Sequence, residues 1–271
     1  MTTTLKPGVN VDIHDSIATI TFNRSATLNA ITSDDYDAFA EALRAIDKRD
    51  DVLVTIWQAT GRFFCAGTDV GKSMSNEDLS IRQTFIQRVT RGNTDPTQAL
   101  YTHSKILVAA LNGPVMGIAA AYLGHFDFIY TLPDVYLSVP FPFLGIITEA
   151  GSSVNFVRRL GIAKANEVLL LGKKMTAEEM LEARFSSKIF PKQPVESFHA
   201  AVRAHIQSEL DSLDRNSVLK IKQLIKAGLQ DQNDMDAVNM RESYAQAERI
   251  ASGVPRERFA QIARKELKHK L

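Results

Sequence analysis

The run Leu111-Asn112-Gly113-Pro114-Val115-Met116-Gly117-Ile118-Ala119-Ala120-Ala121, entered from the apolar stretch Ile106 to Leu111, narrows the folding choices most. It reads as a strand that ends in a turn and passes at once into a helix of small residues. Close packing of that helix is one use for Gly and Ala. Its first N–H groups also lack partners inside the helix and lie at the positive end of its dipole. They form a ready site for developing negative charge. Such a strand-turn-helix predicts an α/β architecture.

The rest of the chain agrees with that class. Val11, Ile13, Ile17, Thr19 and Ile20 flank His14-Asp15-Ser16, predicting a hairpin over 9–22. Thr32-Ser33-Asp34-Asp35 is a helix start ahead of Tyr36, Phe39, Leu43 and Ile46. Val52 to Gln58 predicts a short buried strand. The polar stretch Ser73 to Ser80 precedes a helical segment reaching about His103, and Phe126 to Tyr130 and Val135-Tyr136 predict further strands. Thr176-Ala177-Glu178-Glu179 is a second capping pattern, and Phe185 to Phe190 adds one strand. From Val195 onward the spacing is helical. This divides the chain into an α/β core over residues 1–200 and a helical region over 201–271.

Composition excludes several classes. With 271 residues, 45% apolar and 23% charged, the chain has the make-up of a globular protein. A formal net charge of +1 gives no reason to expect a nucleic-acid partner. Cys65 is the lone cysteine, so no internal disulfide or multi-cysteine zinc site is expected. No apolar window is long enough for a membrane span, and Met1 to Gly8 lacks the apolar stretch of a secretory signal. The ending His269-Lys270-Leu271 resembles the SKL-type peroxisomal address, with His in place of Ser; a basic solvated tail is the alternative.

Two further clusters carry chemistry. In Gly61-Arg62-Phe63-Phe64-Cys65-Ala66-Gly67-Thr68-Asp69, glycine permits a tight turn and close approach to a ligand, and the Thr68 N–H is a candidate donor. A simple strand-to-helix loop reads the same way. In Pro140-Phe141-Pro142-Phe143-Leu144-Gly145-Ile146-Ile147-Thr148-Glu149-Ala150-Gly151, one carboxylate sits among apolar residues before a helix. Burial would raise its pKa toward the range useful for proton transfer; a helix-start acid interacting with the dipole is the alternative. His103 lacks a metal-spaced partner and reads as a helix-end histidine favoured by the dipole. Cys65 reads as a buried filler, Asp69 as structural, and Arg241 to Arg249 as a solvated or subunit-contact face.

In order and spacing the three clusters, with Ile17-Ala18-Thr19-Ile20-Thr21-Phe22-Asn23-Arg24 and Leu28-Asn29-Ala30, resemble the crotonase (enoyl-CoA hydratase/isomerase) superfamily. Ser25 replaces the usual proline. The resemblance implies a spiral of ββα units, a C-terminal helical region that assembles trimers or hexamers, and an acyl-CoA thioester as substrate. It implies an oxyanion hole from the N–H groups of Thr68 and Ile118, with Ala66, Gly67, Thr68, Asp69, Val70 and Ile118 lining the substrate. It implies no metal and no cofactor beyond the CoA of the substrate.

Where hydratases of the superfamily hold two glutamates, this chain has Ala121 and Phe141. Its carboxylate is Glu149, where the Δ3,Δ2-enoyl-CoA isomerases carry theirs. The segment Tyr101-Thr102-His103-Ser104-Lys105 and the terminal tripeptide are similar to the fungal peroxisomal isomerases, which implies an import receptor as partner and a role in fatty-acid β-oxidation. Asn93 is a candidate for orienting the Glu149 carboxylate, a turn role being the alternative. The rivals are dienoyl-CoA isomerisation, thioester hydrolysis and a catalytically silent acyl-CoA-binding module.

Overall fold

The computed structural model describes residues 2–6, 8–69 and 79–268. Val70, most of the polar stretch Ser73 to Ser80, and His269-Lys270-Leu271 lie outside the described residues. The chain begins with β1 (Thr2–Lys6), β2 (Val9–His14) and β3 (Ile17–Phe22), paired antiparallel. The β2–β3 turn is made by Asp15 and Ser16, both at positive φ. Helix α1 (Ser33–Asp47) starts on a reciprocal capping box between Thr32 and Asp35. Strand β4 (Val54–Ala59) follows.

The helical stretch ending near His103 has three parts. They are α2 (Ile81–Thr84), a wider π-helical turn over Phe85–Thr94, and α3 (Asp95–Thr102). The Thr90 hydroxyl donates to the Phe85 carbonyl at 2.8 Å, closing the wide turn from inside. Next come β5 (Ile106–Leu111), β6 (Val115–Met116), α4 (Gly117–Tyr122), β7 (Phe128–Thr131), β8 (Tyr136–Ser138) and the single turn α5 (Phe141–Leu144). Then follow α6 (Ser152–Leu171, broken at Gly161), β9 (Met175–Thr176), α7 (Ala177–Glu182) and β10 (Lys188–Ile189). Four helices complete the described chain: α8 (Val195–Leu210), α9 (Arg215–Gln230), α10 (Met235–Ala251) and α11 (Val254–Ala263).

The main sheet has the order β1-β2-β3-β4-β5-β7-β10, and every pair from β3 onward is parallel. A small second sheet, β6-β8-β9, stands beside it. β5 is buried along its full length, as a parallel strand covered on both faces must be. Trp57 on β4 is enclosed by the rings of Phe22, Phe39, Phe64 and Phe126, at centroid distances of 4.6 to 5.6 Å. This core fixes the strand ends from which the functional loops leave. Among the described residues no helix is long and apolar enough to cross a membrane. The architecture is the expected mixed α/β one, with helices at the C-terminal end.

Candidate active site

The Cys65–Asp69 segment, which follows β4, is threaded between two other pieces of backbone. On one side, the Ile31 N–H donates to the Gly67 carbonyl and the Asp69 N–H donates to the Ile31 carbonyl, each at 2.8 Å. On the other, the Met116 N–H donates to the Cys65 carbonyl at 2.9 Å, and the Phe64 N–H donates to Pro114 at 3.0 Å. Because Ile31 bonds the residues flanking Thr68, the Thr68 N–H is left on the opposite edge. Gly67 (φ +90°) and Gly117 (φ +58°) meet where the two segments cross. A methyl group on Gly67 would lie 3.2 Å from the Met116 carbonyl oxygen. Ile118 is the second residue of α4, so its N–H has no acceptor within the helix. The expected pair of donors therefore sits on two segments locked by hydrogen bonds and by glycine. The Thr68 hydroxyl is bonded to the Tyr36 hydroxyl at 2.6 Å.

Glu149 comes from the loop between α5 and α6, and only 8% of its surface is exposed. It shares one cavity of about 360 Å³ with Thr68, Ile118, Ile146, Tyr36 and Gln246. Among the described residues it is the only carboxylate lining that cavity. Burial pushes its pKa from 4.5 up to about 8; a hydrogen bond from Gln246 opposes the rise and the charge of Glu242 adds to it. The Glu149 carboxylate is bonded to Gln246, while the N–H groups of Gly151 and Ser153 that open α6 are taken by Glu242, so the helix-start alternative has no side-chain contact behind it.

The loop is shaped from below by α10. The Gln246 amide nitrogen donates to Glu149 Oε2 at 3.0 Å, and its carbonyl oxygen accepts from the Ile147 N–H at 3.2 Å. Glu242 accepts from the N–H groups of Gly151 (2.7 Å) and Ser153 (3.0 Å) at the start of α6, where helix donors lack internal partners. Ser243 accepts from Asn93 and Thr94, and Asn239 donates to the Thr94 carbonyl. Between Arg241 and Arg249 the outer side keeps the expected exposed face, with Arg241, Tyr244 and Glu248 exposed, while Glu242, Ser243 and Gln246, with Asn239 just before them, are buried on the inner side. Their spacing of three and four residues was visible in sequence, but a polar stripe does not announce what it faces.

Other expected positions fall out unevenly. Asn93 is buried, but its carbonyl oxygen accepts from the Ala150 N–H at 2.8 Å and its amide donates to Ser243. It holds the backbone beside Glu149 and not the carboxylate, so the orienting contact belongs to Gln246. Ala66, Gly67 and Asp69 are not in the described lining of this cavity; the Ala66 N–H donates to the Leu28 carbonyl at 3.0 Å, and Asp69 lies 3.6 Å from the Arg24 guanidinium. His103 is buried against Thr55 (2.8 Å), and desolvation pushes its pKa down to about 3. It does stand at the C-terminal end of α3, as expected, but it is buried there 3.6 Å from Asp47, and burial opposes the charged form that the helix dipole would favour. Cys65 is buried, with its thiol pushed up to about 12 by burial, as suits a filler. Ala121 and Phe141 are both fully enclosed. Among the described residues no group of three or more His, Cys, Asp or Glu comes together as a metal site.

The enoyl-CoA hydratase/isomerase family model matches residues 12–259. A Pyricularia oryzae protein named Delta(3,5)-Delta(2,4)-dienoyl-CoA isomerase is 37% identical over 276 residues, spanning 96% of this chain and 98% of its own. The 3,2-trans-enoyl-CoA isomerase of Saccharomyces cerevisiae is 34% identical over 256 residues, 90% of each chain. The solved structure of an enoyl-CoA hydratase/isomerase from Pseudoalteromonas atlantica aligns with a TM-score of 0.82 at 27% identity, covering 97% of this chain and all of that one. By sequence along nearly its whole length, and by fold, the chain belongs to the enoyl-CoA hydratase/isomerase, or crotonase, family.

Proposed function

We propose that the protein is a Δ3,Δ2-enoyl-CoA isomerase whose single acid/base is Glu149. The observation that carries this reading is a buried carboxyl, the only one among the described residues lining its cavity, which it shares with Thr68 and Ile118, and which burial pushes up to about 8. The thioester carbonyl of a 3-enoyl-CoA accepts from the N–H groups of Thr68 and Ile118. Glu149, ionised, takes a proton from C2, and the electron pair of that bond delocalises into a dienolate held by the two amides. The carboxylic acid then protonates C4, leaving the double bond between C2 and C3. Hydration is disfavoured because Ala121 and Phe141 offer no second group to hold water. The isomerase names of the two relatives support the reaction class.

A second reading, dienoyl-CoA isomerisation, is favoured by the name of the Pyricularia relative. Moving hydrogen between C2 and C6 calls for a second acid facing Glu149, and the cavity's described lining offers none. The deciding experiment supplies trans-3-hexenoyl-CoA and a 3,5-dienoyl-CoA to the purified protein and to Glu149→Gln. Rapid conversion of the first, lost by about 100-fold or more in the variant, supports the proposal. Preferential turnover of the diene, or hydration of crotonyl-CoA at comparable speed, overturns it. No turnover of any of them, with acyl-CoA still bound, would indicate a binding module.

The cellular setting is part of the same proposal. His269-Lys270-Leu271 would address the enzyme through an import receptor to the peroxisome and to fatty-acid β-oxidation. Self-association into a trimer or hexamer is supported by α9, where Ile221, Leu224, Ile225 and Leu229 are exposed along one helix. Sedimentation of the intact protein tests the assembly.

A further inference from the structure

Gln246 reaches the acid from the far end of the chain, and both halves of its amide are committed. The Ile147 N–H can only donate, so it fixes the Gln246 carbonyl oxygen as its acceptor and turns the amide NH₂ toward Glu149. That NH₂ donates to Oε2 at 3.0 Å, and the side chain that makes both contacts is only 3% exposed. One glutamine therefore spans the backbone and the carboxylate of a single loop. A hydrogen-bond donor fixed on Oε2 also favours the proton on Oε1, because the carbonyl oxygen of a carboxylic acid is a better acceptor than its hydroxyl oxygen.

We propose that Gln246 is a positioning residue for the proton shuttle: it holds Oε2 of Glu149 as a permanent acceptor, so that Oε1 alone takes the proton from C2 and returns it at C4. The inference rests on Glu149 being the acid/base. In the forward step the C2–H bond breaks, an Oε1–H bond forms, and the electron pair moves onto the thioester carbonyl. In the return step Oε1–H breaks, C4–H forms, and the pair settles between C2 and C3. The same oxygen serves both steps without a rotation of the carboxyl, which Gln246 prevents.

The charged and titratable groups around Glu149 determine the sign of the test. Glu242 faces it from α10 and pushes its pKa up, while Tyr36 from α1 and Tyr122 from α4 are buried phenols held well above their ordinary range. Arg88 and Arg91 line the same cavity from the π-helical turn. Gln246 is the contact that favours the ionised carboxylate against burial, so its removal moves Glu149 upward.

The experiment records kcat and KM for trans-3-hexenoyl-CoA over about pH 6 to 10 for the wild type, Gln246→Met, Gln246→Asn, Ser243→Ala and Glu149→Gln. Methionine keeps the volume without the donor, and asparagine keeps a buried amide that no longer reaches. Both are expected to lower kcat about tenfold or more with little change in KM, and to move the acid limb of kcat/KM up by about one pH unit. Ser243→Ala, which loosens α10 through Asn93 and not through Glu149, is expected to leave the limb in place. An unshifted limb in both Gln246 variants overturns the inference, as does a limb that moves equally in Ser243→Ala. Activity retained by Glu149→Gln overturns the underlying acid/base reading instead, whatever the Gln246 variants do.

Discussion

At the scale of single residues, a buried carboxyl that is useful to chemistry is a burden on the fold. Glu149 ordinarily titrates near 4.5 and is pushed to about 8 in the folded chain, chiefly by desolvation. Between these values the unfolded chain gives up the proton and the folded chain keeps it. The native state then binds more protons, so stability falls as pH rises through that window. Glu149→Gln removes the titration while keeping an acceptor for Gln246. Its melting temperature should exceed that of the wild type at pH 8.5, by an amount equivalent to on the order of a few kcal/mol. The gap should close as pH approaches about 4.5; melts at both ends of the range check this, and a pH-independent gap would refute it. Gly67 makes a second residue-scale case. Its φ of +90° is one that L side chains rarely adopt, and a Cβ there, 3.2 Å from the Met116 carbonyl oxygen, would push that neighbour aside. Gly67→Ala should displace the Thr68 amide and lower kcat by about 100-fold, the usual effect of losing one oxyanion donor, while the protein still folds.

At the scale of elements, local patterns were legible and long-range ones were not. The capping boxes at Thr32–Asp35 and Thr176–Glu179, the hairpin at Asp15-Ser16 and the strand at Ile106–Leu111 are all written within a few residues of themselves. The π-helical turn has no such signature. It rests on the Thr90 hydroxyl reaching Phe85 and on the Tyr122 hydroxyl donating to the Gly92 carbonyl, thirty residues away. The inward face of α10 was not legible for a related reason. Periodicity shows that Asn239, Glu242, Ser243 and Gln246 share a side, but a polar side can face water or the donors of a remote loop. Glu242 is the strongest of these contacts, satisfying two backbone N–H groups at the start of α6. Glu242→Ala would leave both donors buried without an acceptor, which should cost about 2–4 kcal/mol. Urea denaturation measures it, and a loss below about 0.5 kcal/mol, the range of an ordinary surface substitution, would show that α10 does not clasp the loop.

At the scale of the whole molecule, the parallel sheet supplies the floor of the site and the end of the described chain supplies its cover. The segments carrying Thr68 and Ile118 leave the C-terminal ends of β4 and β5, where parallel sheets commonly place their ligands, and their order along the chain made that floor readable. The cover depends on helices that return from more than a hundred residues away. The Arg249 guanidinium donates to the Gly145 carbonyl at 2.6 Å, and Arg258 donates to that of Phe143 at 3.1 Å, tying α10 and α11 to the turn before Glu149. Ile250, Pro255 and Phe259 thereby close the cavity's apolar side. In the proposed reaction an acyl chain filling this side would meet these groups away from the reacting carbons, so their contribution would be the same in the ground state and the transition state. Phe259→Ala should then raise KM for a hexenoyl-CoA by about 3- to 10-fold, from lost apolar burial of about 1 kcal/mol, with kcat changed less than about twofold. Longer acyl chains, able to fill the space vacated by the ring, should be affected less. A fall in kcat at constant KM would mean instead that α11 acts on the chemistry, by holding the Glu149 loop in place, and that cover and catalytic loop form a single mechanical unit.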